Sequence, residues 1–470
     1  MSRFRLPLNP LNLLQPHPDP SLQRQWVVVQ ISLLLLPISP LLGGMSILMT
    51  AISLWPREYR LFLRRPVTWG ISGLILWTIL ISFWAEDPPT AFLGLYNFFP
   101  GFIIFVAGSH LLQTPAQLRQ FSRLVLLSAV PVVLVGFGQL FWGWAGHPRL
   151  LWIVVDLLID AGGNPPGRMS SIFSYANFLA SFLVIVFGLG LGLWLETWHN
   201  PPIAHGEPKL TRANIQAALR SPRSLLLLSF LGTVALAIVL TQSRNAWVIA
   251  FLISLAFALY QGWRWLVAGV MAIAGCVLGA VWAPNPLGQW LRIVVPAFIW
   301  ARLSGDLYPN QSTALHRETQ WQFAWWMTEQ RPWTGWGLRS FPDLYQAQTG
   351  VWLGHPHNLF LMLTAEAGIP TTLLLLTVVG WVFCQGVGHL LHWPGQPDGP
   401  AKTQADRLLY FSFLVTFIGC TLFSLVDVTL FDVRITMVTW LVLAGIDGLA
   451  CRVPQINRRD SDPPGSWLKY

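Results

Sequence analysis

The chain has 470 residues, 54% of them hydrophobic and only 10% charged, with a mean hydropathy of +0.53. Charged residues alone make up about a quarter of an ordinary soluble domain, so this composition excludes one and makes a bilayer the solvent of most of the chain. A net charge of +9 would suggest nucleic acid for a soluble protein. Here the basic residues fall mainly in loops on one side of the expected spans, so they report orientation, and no nucleic-acid partner is expected.

Residues 1–24 carry Arg3, Arg5 and Arg24 among prolines, with no short apolar core followed by a small-residue cleavage site. This reads as a retained cytoplasmic tail. Spanning a membrane takes about 20 mostly apolar residues. Apolar runs at 25–41, 42–55, 67–84, 91–112, 122–144, 171–195, 223–241, 246–260, 265–283, 358–384, 408–427 and 434–450 therefore read as about 12 transmembrane helices, helix being the default because backbone polar groups in lipid must be satisfied within the segment. The fold class expected is an all-α polytopic membrane protein, with one transmembrane domain over 25–450 and a cytoplasmic C-terminal tail over 451–470.

With both termini inside, the cytoplasmic regions and their flanking helix ends hold 20 of the 29 Lys and Arg, among them all three lysines, Lys209, Lys402 and Lys469. The opposite side holds the other nine: Arg149, Arg168, Arg244, Arg292, Arg302, Arg317, Arg331, Arg339 and Arg434. All nine are arginine, the better bidentate ligand for phosphate.

Two non-cytoplasmic segments stand out. Within 145–170, Leu150–Asp160 (LLWIVVDLLID) is apolar but too short to span, and suggests a surface or re-entrant helix. The large loop, about 284–357, contains seven prolines around a helix expected from Thr313 to Glu329 and capped by Ser312 or Thr313. On that helix Arg317, Trp321 and Trp325 share one face, and tryptophan suits a membrane interface. Asp427, Asp432 and Arg434 cluster at the turn between the last two spans, where an ion pair holding the turn is the simple account and a further diphosphate contact by Arg434 the sharper one. Asp460-Ser461-Asp462 reads as part of a solvated tail. Cys276, Cys384, Cys420 and Cys451 lie in or at the end of apolar runs without a CxxC pair, a pattern that points to neither disulfides nor zinc.

Four motifs fall at the non-cytoplasmic ends of expected spans: Arg168-Met-Ser-Ser-Ile-Phe-Ser-Tyr-Ala-Asn177; Thr241-Gln-Ser-Arg-Asn-Ala-Trp247; Arg317 with Gly335-Trp-Gly-Leu-Arg-Ser-Phe341; and His355-Pro-His-Asn-Leu-Phe-Leu361 followed by Glu366-Ala-Gly368. Together, over roughly 165 to 450, they resemble the O-antigen ligase family of membrane glycosyltransferases, which includes O-antigen polymerases. The chain departs from that pattern in having Ser174-Tyr-Ala-Asn177 where members often show Gly-Asn-Pro-Asn, and Pro370-Thr371 where a second glycine often follows Glu-x-Gly.

The resemblance implies transfer of a glycan from a polyprenyl-diphosphate carrier to an acceptor hydroxyl, on the outer face of the bacterial cytoplasmic membrane. Carried onto matching positions, it implies His357 as general base and Arg168, Arg244 and Arg317 as diphosphate ligands. Asn358, His355, Glu366 and Arg434 would support them, His355 being a rival for the base. Arginine suits a leaving diphosphate and histidine a proton transfer near neutral pH. The scheme needs no cofactor and no metal. Its partners are a lipid-linked glycan donor, a lipid-borne or other hydroxyl acceptor, and membrane lipids. Polymerase-type extension of lipid-linked repeats is one alternative. The other is a transporter related to proteins named for inorganic-carbon accumulation, although no matching pair of broken helices marks the two halves.

Overall fold

The computed structural model describes residues 13–150, 155–199, 221–304, 313–393 and 400–459. In chain order its helices are α1 (Gln23–Leu35), α2 (Pro40–Leu63), α3 (Pro66–Ser82), α4 (Pro88–Gly94), α5 (Phe99–Leu111), α6 (Pro115–Phe141), α7 (Ala176–His199), α8 (Pro222–Leu240), α9 (Arg244–Tyr260) and α10 (Arg264–Trp282). They continue as α11 (Leu287–Val294), α12 (Ala297–Ser304), α13 (Arg317–Gln330), α14 (Phe341–Thr349), α15 (Leu359–Leu391), α16 (Pro400–Ser424) and α17 (Val433–Arg459). Several starts are written plainly in the sequence. Ser39, Asp87, Thr114 and Ser221 each cap a helix whose next residue is proline. The cap side chain satisfies an orphan N–H, and proline has none to orphan.

Eight helical segments among the described residues are long and apolar enough to cross a membrane. Of the dozen expected spans, the remaining four are α1, with 13 residues; α2 and α3, which meet at a bend of 116°; and α9, apolar but only 17 residues long. The bundle closes through small residues, as membrane helices do without a hydrophobic drive between them. Gly188 and Gly192 of α7 lie so close to Thr416 and Ser412 of α16 that a Cβ at either glycine would come within 2.4 Å of those side chains. At one end of the bundle Arg119 donates to Glu196 (2.6 Å) and Asp406 (2.7 Å), tying α6, α7 and α16 together.

The structure adds to or corrects four expectations. Residues 13–22, the end of the expected N-terminal tail, pack on the bundle: Leu22 and His17 are buried, Gln120 donates to the Leu13 carbonyl (2.7 Å), and Gln30 donates to that of Gln15 (2.9 Å). The described part of the expected surface helix at 150–160 is not helical: strand β1 (Arg149–Leu150) pairs antiparallel with β2 (Val155–Asp156). The large loop holds three helices besides α13, and α13 starts one turn later than expected, with His316 rather than Ser312 or Thr313 at its cap. At the other end of the chain α17 runs through position 451, so the boundary expected there falls inside a helix. Asp460 and Asp462 lie outside the described residues.

The joint between the large loop and α15 explains two of the motifs. Gly368 interrupts α15 with φ 81° and ψ 165°, which frees backbone groups that the loop then pairs. Trp336 N–H donates to the Ala365 carbonyl (3.0 Å), Gly337 N–H to that of Glu366 (2.9 Å), and Ile369 N–H to that of Pro332 (2.8 Å). A Cβ at Gly335 would come within 2.4 Å of the Glu366 backbone, and one at Gly368 within 2.5 Å of the Trp333 carbonyl. Gly-x-Gly and Glu-x-Gly are two sides of one close contact.

Candidate active site

At the end of the bundle opposite the Arg119 cluster, a cavity of about 1190 Å³ opens between the α7, α8–α9, α13, α14 and α15 ends. Its lining includes Arg168, Arg244, Arg317, His355, His357 and Glu366, six of the eight residues singled out from sequence. Segments nearly two hundred residues apart in sequence thus meet at one place.

Each reaches it by local structure. Arg244 and Arg317 are the first residues of α9 and α13, so both guanidinium groups project from the open turn of a helix N-terminus. Arg168 is buried: its Nε donates to the Thr241 carbonyl (2.8 Å) and its Nη2 to Asn177 Oδ1 (2.6 Å), while Asn177 Nδ2 donates to Asp427 Oδ2 (2.6 Å). That chain spans the α7 start, the α8–α9 turn and the α16–α17 turn. Burial lowers the pKa of Arg317, and the carboxylate of Asp427 partly offsets it; a guanidinium so high in its range stays charged.

His355 and His357 face each other with ring centroids 4.6 Å apart, and His355 stacks on Phe431. Burial pushes His355 down to about 4, and His357 is lowered by burial as well; Asp427 opposes this in both, while Arg317 reinforces it. Both imidazoles are therefore neutral at pH 7. His357 sits in left-handed backbone conformation (φ 51°), uncommon outside glycine, which turns its ring beneath α13.

Contacts in the structure bear on four further residues. Asn358 caps α15, its Oδ1 accepting from Phe360 and Leu361 N–H at 3.0 Å each. Arg434 is away from the cavity lining: it pairs with Asp432 (2.5 Å), donates to the Ile172 carbonyl (3.0 Å) and covers the Phe173 ring. The ion pair expected at this turn is made by Arg434 and Asp432. Asp427 belongs to the site. Glu366, although at the cavity edge, accepts from the N–H groups of Arg339 (2.9 Å) and Phe341 (3.2 Å), fastening the start of α14.

Asn177, Asp427 and Arg339 stood in the sequence reading without a place in the site, and Gln320 was not named at all; all four belong to the cavity or its hydrogen-bond network. Gln320 had a signal: it follows Arg317 by three positions on one helix, so the two share a face. Asp427 was grouped with Asp432 and Arg434, and nothing in the sequence separates it from that pair.

One potential ligand atom each from His355, His357 and Asp427 lie within 4.8 Å of one another, a donor set of two imidazoles and a carboxylate that could hold a metal ion. Arg168, Arg244, Arg317 and Arg339 line the same cavity, and that concentration of positive charge favours an anion over a free cation.

These features define an all-α, multi-pass membrane protein with a cationic, histidine-bearing cavity at one end of its helices. Residues 227–376 match the family model described as O-antigen ligase, in agreement with the resemblance drawn from the motifs. The matched segment includes Arg244, Arg317, Gln320, His355, His357 and Glu366; Arg168 and Asp427 lie outside it. No curated protein matches the chain.

Proposed function

We propose that the protein is a metal-independent, inverting glycosyltransferase of the ligase type, moving a glycan from a polyprenyl-diphosphate carrier to an acceptor hydroxyl on the outer face of the cytoplasmic membrane. The observation that supports this most is the shared cavity of Arg168, Arg244 and Arg317 with a neutral histidine pair. The arginines hold the diphosphate. The acceptor oxygen attacks the anomeric carbon while His357 takes its proton, the bond from that carbon to the diphosphate oxygen breaks, and the electron pair leaves with the diphosphate. Charge growing on that leaving group is met by fixed guanidinium groups, the kind of preorganised stabilisation that lowers such barriers most. Inversion follows from a single displacement.

Purified protein reconstituted with a polyprenyl-diphosphate glycan and candidate acceptors tests this. His357→Ala is expected to lower the rate by about 10²- to 10⁴-fold, the usual worth of a general base, with the folded protein recovered as for wild type. Undiminished transfer in that variant would remove His357 as base. Transfer is expected to survive chelation; loss on chelation with recovery on adding a divalent cation would assign the His355, His357 and Asp427 group to a metal instead. Lengthened lipid-linked repeats as product would make the enzyme a polymerase. Bicarbonate uptake into vesicles with no glycan transfer to any acceptor would make it a transporter.

A further inference from the structure

The two histidines of the cavity compete for one role, and the hydrogen bonds around them separate it. Gln320, on the inner face of α13, is 1% exposed, so its amide must be satisfied inside the protein. Its Nε2 lies 3.1 Å from the Leu315 carbonyl oxygen. A carbonyl only accepts, which puts the NH₂ group on that side and directs Oε1 the other way, 3.0 Å from His357 Nδ1. An amide oxygen also only accepts, so His357 Nδ1 carries the proton. The lone pair of a neutral imidazole protonated at Nδ1 is at Nε2, and among the described residues that nitrogen has no hydrogen-bond partner.

His355 is arranged the opposite way. The backbone N–H of His357 donates to His355 Nδ1 at 3.2 Å, so that nitrogen is the acceptor and the ring proton of neutral His355 sits on Nε2. Its one lone pair is already engaged with the backbone. His355 can offer a hydrogen bond to an anion, and it is poorly placed to take a proton.

We infer that Gln320 is a positioning residue that fixes the Nδ1–H tautomer of His357, making His357 Nε2 the atom that takes the acceptor's proton and leaving His355 as a donor. The inference rests on His357 being the base. In the reaction the O–H bond of the acceptor breaks, the proton goes to His357 Nε2, and the resulting imidazolium keeps its Nδ1–H bond to Gln320 Oε1. The charged groups facing His357 are Arg317 from the same helix as Gln320 and Asp427 from the α16–α17 turn, with His355 beside it.

The test uses full-length protein with ¹⁵N-labelled histidine in nanodiscs, where imidazole nitrogen shifts report which nitrogen is protonated, together with transfer kinetics. Wild type is expected to show His357 protonated at Nδ1 and His355 at Nε2. Gln320→Leu, which keeps the volume and removes the acceptor, is expected to mix the His357 tautomers and to lower kcat by about 10- to 100-fold, with KM for the donor held within about twofold. Gln320→Glu keeps the acceptor, so kcat should recover most of that loss, with the acid limb of the profile moved to higher pH because the added carboxylate favours the imidazolium. A wild-type His357 protonated at Nε2, or a Gln320→Leu enzyme with wild-type kcat and pH profile, overturns the inference. If His357→Ala retains transfer, the base assignment falls first; the tautomer measurement on wild type then judges Gln320 by itself.

Discussion

At the scale of residues, protonation decides whether the cavity works. The base must be neutral, and burial lowers the pKa of His357 from the ordinary histidine value of 6.5. The acid limb of kcat/KM, which reports the free enzyme, is therefore expected below pH 6.5. Binding a diphosphate brings negative charge beside the ring and favours the imidazolium, so the limb of kcat is expected at higher pH than that of kcat/KM. His355, near 4, adds no second limb above that value. Rate profiles at saturating and limiting donor distinguish these; a kcat/KM limb above 6.5 contradicts the assignment. Stability moves in the same sense. The fold holds both imidazoles neutral, the unfolded chain takes protons first on acidification, and stability is lost as pH falls from about 6.5 toward about 4. Which arginines and histidines line the cavity was legible because chemistry restricts the residue types. What holds them was not: Asn177 and Asp427 act through contacts 250 positions apart, and no local pattern announces such a pair.

At the scale of elements, the site depends on the joint where the large loop meets the broken helix α15. Gly335 lies at φ 69° with its Cα facing the Glu366 backbone. Gly335→Ala adds a methyl that meets main chain, which cannot rotate away, in a conformation that already costs a side chain on the order of 1 kcal/mol. Displacement of Glu366 would follow, and with it the start of α14. The expectation is a fall in stability of roughly 2–5 kcal/mol, in line with overpacking against a rigid wall, seen as a lower midpoint in thermal unfolding of the detergent-solubilised protein. A midpoint within a degree of wild type would mean that the loop tolerates a gap there. The glycines were visible in the sequence as motifs, and their reason was not, since close approach involves a partner 31 positions away. The strands β1 and β2 show the converse failure: apolar length suggested a helix there, where Arg149 instead pairs with Asp156 across two short strands.

At the scale of the whole molecule, the convergence of four motif-bearing segments on one end of the bundle fits the orientation expected from basic residues. All three lysines lie in regions assigned to the cytoplasm, and the cavity end carries arginine alone. Most spans were legible because burial in lipid demands long apolar runs; α2 and α3 were read as two spans, but the 116° bend between them was not legible, because Arg64-Arg65-Pro66 writes a break without saying how sharply the chain turns. Orientation can be read directly in a variant with the native cysteines replaced. Trp325 is half exposed on the outward side of α13, and Thr114 begins α6 at the opposite end. In spheroplasts, a membrane-impermeant maleimide is expected to label Trp325→Cys without permeabilisation, and to label Thr114→Cys only after it. Labelling in the reverse order would put the cavity in the cytoplasm, where a donor presented on the outer leaflet cannot reach it, and the proposed reaction would lose its substrate together with the positive-inside argument that first placed the arginines outside.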